Sequence, residues 1–301
     1  MRVCRYTSGG REAIGVVVGD RVVEIDEPRD IVAILESGPE LWQRLQKQSE
    51  DRARTPLSDV ELLAPIAKPP KFLAVGFNSK DHVDEALSAP VTPEILAMRQ
   101  SYEYLQKAFP AARFPAVFNK QTTSVAGPRG PIWIPRDSTK VDYEGEAALV
   151  IGRRLRRASE REAAAAIAGW TVTNDVTVRD WQWNTAQTWL GKSFETHGPT
   201  GPWIVTVDEF DTEAAVIRTW VNDELRQDGR LADQTLSPAQ IVAQLSQICT
   251  LEPGDLIATG TPAGIGSPFG RYLVPGDRVR VSVSGIGEIE NTVIAEPESA
   301  A

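Results

Sequence analysis

The chain has 301 residues, 42% of them hydrophobic and 24% charged, which is enough length and apolar content for a well-buried core. Its net charge is −9 and its strongest basic cluster is the short turn Arg153–Arg157, so nucleic acid is not expected as a partner. The two cysteines form no metal-ligand motif, and no apolar segment resembles a signal peptide or reaches the ~18 residues of a membrane span, so we predict a cytoplasmic protein without membrane contact.

The first 67 residues predict a small domain that combines strands and helices. Glu12–Val18 and Arg21–Ile25 flank a Gly-Asp dipeptide, a pattern typical of a β-hairpin. Two helical stretches follow at Ile31–Leu35 and Glu40–Arg54, separated by a Gly-Pro pair. The proline-containing run Lys68–Lys71 forces extended backbone, so we place a domain boundary near residue 67.

Residues 68–301 predict a larger domain in which strands predominate. A short strand at Phe72–Val75 precedes a helix at Asp81–Ala89 and a second helix at Pro93–Lys107. Two later helices are predicted at Ser159–Ile167 and Pro238–Cys249. The further strands are Ala147–Ile151, Ala168–Thr173, Trp203–Val207, Val216–Val221, Leu256–Thr259 and Val279–Val283. Many turn signals and few helices indicate a mainly β domain with some helix (α+β), and not an alternating βαβ array.

Three carboxylates lie at the ends of predicted strands. Glu144 and Glu146 lead into the apolar run Ala147–Ile151, and because side chains alternate along a strand they project to the same side. Asp175 ends another strand. Buried carboxylates need protons, cations or a metal, and oxygen ligands without cysteine favour Mg²⁺, with Mn²⁺ or Ca²⁺ as alternatives. From spacing alone, the other interpretation is an edge strand whose two glutamates face water.

Candidate catalytic and substrate-binding residues occur on both sides of these carboxylates. His82 and Glu85 are three residues apart on one helix face, and an imidazole backed by a carboxylate is a general base that works near neutral pH. Arg179, Gln182 and Lys192 follow Asp175 within a short span, and the cations Arg179 and Lys192 suit a carboxylate or a developing oxyanion. For each of these residues the simpler interpretation is an ordinary surface side chain.

Five short blocks occur in the order found in one enzyme family. The blocks are Gly76-Phe77-Asn78 with His82 and Glu85, Val141–Glu146, Asn174-Asp175-Val176 with Arg179, Asp180 and Gln182, Lys192-Ser193-Phe194, and Pro253-Gly254-Asp255 with Thr259–Pro262. Over about residues 65 to 295 the chain resembles the fumarylacetoacetate hydrolase family, in particular its shorter bacterial-type members. The resemblance implies a mixed β-sandwich or β-roll fold with a small N-terminal α/β domain, and usually a homodimer.

The resemblance also implies roles for individual residues. The metal ligands would be Glu144, Glu146 and Asp175, the catalytic residues His82, Glu85 and Lys192, and the substrate-binding residues Arg179, Gln182 and Thr261. In the family the His-Glu pair lies on a lid that orders over the substrate. Ser79 stands where the family motif has a tyrosine, so one ring that would line the pocket is absent.

The function expected from these residues is metal-dependent hydrolysis of a C–C bond in a β-diketo acid, such as an acylpyruvate or a fumarylacetoacetate-like compound. The partner would be a small anionic keto acid, with Mg²⁺ or Mn²⁺ as cofactor and Ca²⁺ as a further possibility. Two alternatives stay open. One is a lyase or isomerase of the same family, namely an oxaloacetate-type decarboxylase, a 2-oxo-enoate hydratase or a tautomerase. The other is a ligand-binding protein without catalytic activity.

The stretch between Glu85 and Phe118 is longer than the short loop usual in the family. We expect residues 90–115 to form an added helix that extends the lid or the dimer contact. Such a helix would shape the pocket for a bulkier substrate.

Overall fold

The computed structural model describes residues 1–26, 30–50, 52–88, 116–184 and 187–298, with the isolated positions 96, 97, 99, 100, 103, 104 and 107. Most of the expected second helix at Pro93–Lys107, and with it most of the lid extension over residues 90–115, lies outside the described residues. Within the described ranges, no helix combines the length and the apolar character that crossing a membrane requires.

The helices are α1 (Ile31–Glu36), α2 (Pro39–Gln48), α3 (Lys80–Ser88), α4 (Glu160–Ala164), α5 (Arg179–Gln182) and α6 (Pro238–Ile248). The strands are β1 (Arg2–Ser8), β2 (Arg11–Val18), β3 (Arg21–Glu24), β4 (Thr55–Pro56), β5 (Glu61–Leu63), β6 (Phe72–Gly76), β7 (Ala116–Lys120), β8 (Val125–Ala126), β9 (Ile132–Ile134), β10 (Val141–Asp142), β11 (Gly145–Ile151), β12 (Ile167–Asn174), β13 (Thr177–Val178), β14 (Gly198–Thr206), β15 (Val216–Val221), β16 (Glu224–Arg230), β17 (Leu256–Ala258), β18 (Arg278–Val283) and β19 (Gly287–Ala295). Short 3-10 helices, among them Thr188–Lys192, connect several of these elements.

The largest sheet runs in the order β4-β3-β2-β1-β14-β12-β11-β17-β6-β7, with β5 paired to β1 and β8 to β14. The N-terminal hairpin joins it through antiparallel pairing of Arg2 with Val205 and Val3 with Ile204. Backbone hydrogen bonding therefore connects the first 67 residues with the rest of the described chain. The boundary near residue 67 stays a prediction.

A second sheet, in the order β16-β15-β18-β19-β9, packs on the central strands of the first. The core between them includes Leu149, Trp170 and Val205 from the large sheet and Val281 and Ile289 from the small one. All residues of β11 and β12 are buried, as expected for strands that are covered on both faces. This arrangement confirms the expected mainly β fold with helices.

Several element boundaries differ from the sequence-based prediction. Helix α2 ends at Gln48 and not at Arg54, because the chain must extend so that Thr55 can pair with Val22 of β3. Helix α4 stops at Ala164, since Ile167 already pairs with Ile151 in the large sheet. Strands β14, β16 and β19 are longer than predicted or were not predicted.

Five strands bring an end to one edge of the large sheet. Strand β11 runs antiparallel to both β12 and β17, so its first residues lie beside the last residues of those two strands. Strand β6 is parallel to β17 and therefore ends at the same edge. Strand β7 is antiparallel to β6, and pairing of Gly76 with Ala116 places the start of β7 there too. Parts of four of the sequence blocks occur at these strand ends, namely Gly76, Glu144, Asn174-Asp175 and Thr259.

Candidate metal centre and adjoining cavity

Three buried carboxylates meet at this sheet edge. Glu144, Glu146 and Asp175 each offer an oxygen, and these oxygens lie within 4.8 Å of one another. The pairing of β11 with β12 brings them together, since the Asp175 N–H donates to the Glu144 carbonyl over 2.8 Å. Glu144 and Glu146 both line the same cavity, so their side chains do share a side of the chain. The water-facing alternative is excluded, because the three residues are between 0% and 6% exposed.

Three buried cations surround the carboxylates. Lys192 Nζ lies 2.7 Å from Glu144 Oε2 and 2.7 Å from Asp175 Oδ2. Arg179 Nη1 lies 2.7 Å from Glu144 Oε1. The second oxygen of Asp175 is bound by Lys120, whose Nζ lies 2.7 Å from Oδ1. Glu144 and Asp175 are therefore both ion-paired in a region from which water is largely excluded, whereas Glu146 forms no ion pair with these cations.

Glu144 and Glu146 have pKa values shifted in opposite directions. Burial would raise the pKa of Glu144, but Lys192 and Arg179 outweigh this effect and hold that pKa well below its usual range. The pKa of Glu146 is raised well above its usual range, first by burial and then by the negative charges of Asp175 and Glu144. Its Oε2 accepts a hydrogen bond from the Gly260 N–H over 2.7 Å. A divalent cation among these oxygens would offset the repulsion at Glu146, so the donor set fits a hard metal ion.

A cavity of about 230 Å³ opens beside the carboxylates. One part of its wall is polar and consists of His82, Glu144, Glu146, Arg179, Gln182, Lys192, Thr188 and Thr261. The other part is mainly apolar and consists of Val75, Gly76, Phe77, Ala116, Val117, Phe118 and Trp183. The Phe118 ring centroid lies 4.9 Å from Lys192 Nζ, in the range of a cation–π contact. The cavity can therefore hold a ligand with one charged end and one apolar end.

The predicted His-Glu pair reaches the cavity from α3. His82 is 7% exposed, and its Nδ1 lies 3.9 Å from Glu85 Oε2, which is too long for a hydrogen bond. The Glu85 carboxylate accepts the Gly264 N–H, over 2.9 Å to Oε1 and 3.0 Å to Oε2. Glu85 thus fastens the helix to the loop that follows β17. His82 lines the cavity.

The three predicted substrate-binding residues also line the cavity, but each already has protein partners. Arg179 contacts Asp142 Oδ2 through Nη2 over 2.7 Å and donates to Gln182 Oε1 over 3.1 Å. Thr261 donates to the Gly145 carbonyl over 3.0 Å and accepts from Gln227 Nε2 over 2.8 Å. The structure therefore brings all nine candidate residues to one site. It also shows that several of them hold one another in place.

Sequence reasoning missed three buried residues of this site. Lys120 binds Asp175, Asp142 binds Arg179, and Gln227 holds the backbone of Gly145 and the Thr261 hydroxyl. Asp142 stands in the Asp-Tyr-Glu-Gly-Glu block, so that block held a usable signal. Lys120 ends a short strand, and Gln227 lies in a polar strand far along the chain. Neither residue shows a spacing that indicates a site.

Comparison with known proteins places these observations in a family. The family model for the fumarylacetoacetate hydrolase C-terminal domain matches residues 71–294, and a model described as Rv2993c-like, N-terminal, matches residues 1–65. An oxaloacetate tautomerase from Xenopus laevis is 36% identical over 244 residues, which cover 79% of this chain and 69% of that protein.

Two solved structures are similar over nearly the whole chain. A fumarylacetoacetate hydrolase from psychrophilic Exiguobacterium antarcticum aligns with a TM-score of 0.81 at 32% identity, covering 98% of this chain and 100% of that one. A maleylpyruvate hydrolase from Sphingobium sp., in complex with manganese(II) and pyruvate, aligns with a TM-score of 0.77 at 27% identity, covering 99% and 100%. These matches confirm the resemblance that the five sequence blocks carry.

Proposed function

The chain belongs to the fumarylacetoacetate hydrolase family, and from this premise we propose that it is a divalent-metal-dependent hydrolase of a C–C bond in a β-diketo acid, such as an acylpyruvate or a fumarylacetoacetate-like compound. The observation that carries the proposal is a cluster of three buried carboxylates, two of which line one cavity together with a histidine and a lysine. The substrate would be a small anionic keto acid. The homodimer and the cytoplasmic location stay predictions.

Glu144, Glu146 and Asp175 would hold the cation, which when bound would draw electron density from two substrate oxygens and stabilise an enolate leaving group. His82 would act as the general base. Its Nδ1 faces Glu85, so Nε2 is the nitrogen left to take a proton from water. The Nδ1–Oε2 distance of 3.9 Å would have to shorten in the substrate complex, as catalytic hydrogen bonds often do.

Lys192 would stabilise the oxyanion that forms on the attacked carbonyl. An ammonium group has three donors, and two of them are used by Glu144 and Asp175, each over 2.7 Å. The third is left for a substrate oxygen. Arg179 and Gln182 would bind the substrate carboxylate from the same side of the cavity, with Thr261 near the reacting oxygens.

We expect Mg²⁺ and Mn²⁺ to support activity better than Ca²⁺. Each of the three carboxylates has at least one oxygen held by a protein donor, namely Lys192 or Arg179 for Glu144, Gly260 for Glu146 and Lys120 for Asp175. Bidentate binding, which Ca²⁺ with its 6–8 ligands often uses, would disturb more of these contacts than an octahedral ion, which needs one oxygen from each residue. Activity with each ion on metal-free protein checks this, and a higher rate with Ca²⁺ would contradict it.

A lyase or isomerase activity is the second candidate. The 36% identical relative from Xenopus laevis is named an oxaloacetate tautomerase, which supports isomerisation as another reaction of this fold. A ligand-binding protein without catalytic activity is less well supported, because pure binding requires no general base beside the carboxylates.

Product analysis on a panel of keto acids with Mg²⁺ or Mn²⁺ tests the proposal. The expected products are a carboxylic acid that carries one water-derived oxygen and a shorter keto acid, which is pyruvate when the substrate is an acylpyruvate. Release of carbon dioxide, with no water-derived oxygen in the organic product, would indicate decarboxylation. Conversion of the substrate without cleavage would indicate a tautomerase. If no keto acid is turned over, the hydrolase proposal is wrong and the ligand-binding alternative is favoured.

A further inference from the structure

A lysine outside the cavity wall connects three parts of the metal centre. Lys120 ends β7, is 1% exposed and does not line the cavity. Its Nζ lies 2.7 Å from Asp175 Oδ1 and 3.4 Å from the Val176 carbonyl. It also donates to the carbonyl of Lys192. One side chain therefore binds both a candidate metal ligand and the backbone of the candidate oxyanion-stabilising lysine.

These contacts determine which Asp175 oxygen faces the centre. Lys120 occupies Oδ1, so Oδ2 is the oxygen that remains on the side of Lys192. The bond from Lys120 to the Lys192 carbonyl fixes the backbone from which the Lys192 ammonium reaches Glu144. Without Lys120, the Asp175 carboxylate could rotate and offer both oxygens, and the 3-10 helix at Thr188–Lys192 would lose one attachment to β7.

We propose that Lys120 is a positioning residue of the metal centre, which holds Asp175 as a one-oxygen ligand and fixes the backbone of Lys192. The inference rests on the metal site of the proposed function. Outer hydrogen-bond partners of metal ligands typically contribute about 10–100-fold to metal affinity, and Lys120 stands in that relation to Asp175.

A purely electrostatic role for Lys120 predicts the opposite effect. A buried positive charge near the site repels a divalent cation, so its removal alone should strengthen metal binding. Positioning predicts weaker binding in spite of the lost repulsion. The direction of the change therefore separates the two roles.

The experiment measures Mn²⁺ binding to metal-free protein by the electron paramagnetic resonance signal of free Mn²⁺, without substrate or turnover. Lys120→Met removes the charge and the donors at similar length, and Lys120→Leu is a second variant without charge or donors should the first not fold. Lys71→Met is the matched control, because Lys71 Nζ binds the buried Asp255 Oδ2 over 2.8 Å. Thermal unfolding without metal shows whether each variant is folded.

The expected result is that the folded Lys120 variants bind Mn²⁺ roughly 10–100-fold more weakly than the native chain, while Lys71→Met binds it unchanged. The spectrum of bound Mn²⁺ should also change, because Asp175 becomes free to use both oxygens. Native-like or tighter Mn²⁺ binding by a folded Lys120 variant would overturn this inference and leave the proposed metal site intact. Absence of Mn²⁺ binding by the native chain would overturn the proposed metal site together with it.

Discussion

Glu146→Gln should abolish metal-dependent activity while leaving the protein folded. The substitution keeps the shape of the side chain and an oxygen for the Gly260 N–H, which now donates to Oε2 over 2.7 Å. It removes the negative charge that a cation requires in this position. Loss of a ligand should weaken Mn²⁺ binding by more than the roughly 10–100-fold typical of outer partners. Titration of metal-free protein with Mn²⁺, and activity with and without added metal, measure the effect.

The activity of the unmodified protein should likewise depend on a divalent metal. Treatment with a chelator should remove activity, and added Mg²⁺ should restore it. Glu252→Gln is a suitable control, because Glu252 pairs with Arg154 at the surface and is remote from the cavity. Full activity in excess chelator, with no metal found by elemental analysis, would contradict the metal site.

His82→Ala should lower the rate of C–C hydrolysis by roughly 10²–10⁴-fold, which is the usual contribution of a positioned general base. Binding of Mn²⁺ and of a substrate analogue should persist, since Glu144, Glu146 and Asp175 remain. The expected pattern is thus a fall in kcat with little change in analogue affinity. Steady-state kinetics and a binding titration on the same preparation measure the two quantities.

Glu85→Gln should have the same direction of effect, and it isolates the charge of Glu85 from its structural contact. A glutamine oxygen can still accept the Gly264 N–H, so the attachment of α3 to the loop is retained. A decarboxylase, in which the metal carries most of the catalysis, would tolerate both substitutions better. An unchanged rate of hydrolysis in His82→Ala would therefore exclude His82 as the base.

The sequence predicted the pair of glutamates because of a property local to one strand. Alternation along β11 places Glu144 and Glu146 on the same side whatever their neighbours are. Asp175 joins them through the pairing of β11 with β12, in which Gly145 opposes Asn174. That pairing depends on distant sequence, so the position of Asp175 at a strand end made it a candidate, and the family resemblance assigned it to the same site.

The strands and site residues that sequence analysis missed depend on tertiary contacts. Strand β14 passes through Pro199 and Pro202, residues that normally argue against a strand, and it is stabilised by neighbours on both sides. Strand β16 is largely polar because it forms an edge of the smaller sheet. The contacts of Lys120 form only when β7, the end of β12 and the 3-10 helix before Ser193 come together in the fold.

The meeting of strand ends at one sheet edge has a consequence for how this enzyme could acquire new substrates. The three candidate metal ligands lie on or beside the buried strands β11 and β12, whereas Phe77, Val117 and Trp183 line the cavity from turns and strand ends around them. Mutational libraries confined to those three wall positions should therefore diversify the accepted acyl group without disturbing the cation-binding chemistry. We therefore expect selection on substrate range and selection on the reaction to act on separate sets of residues.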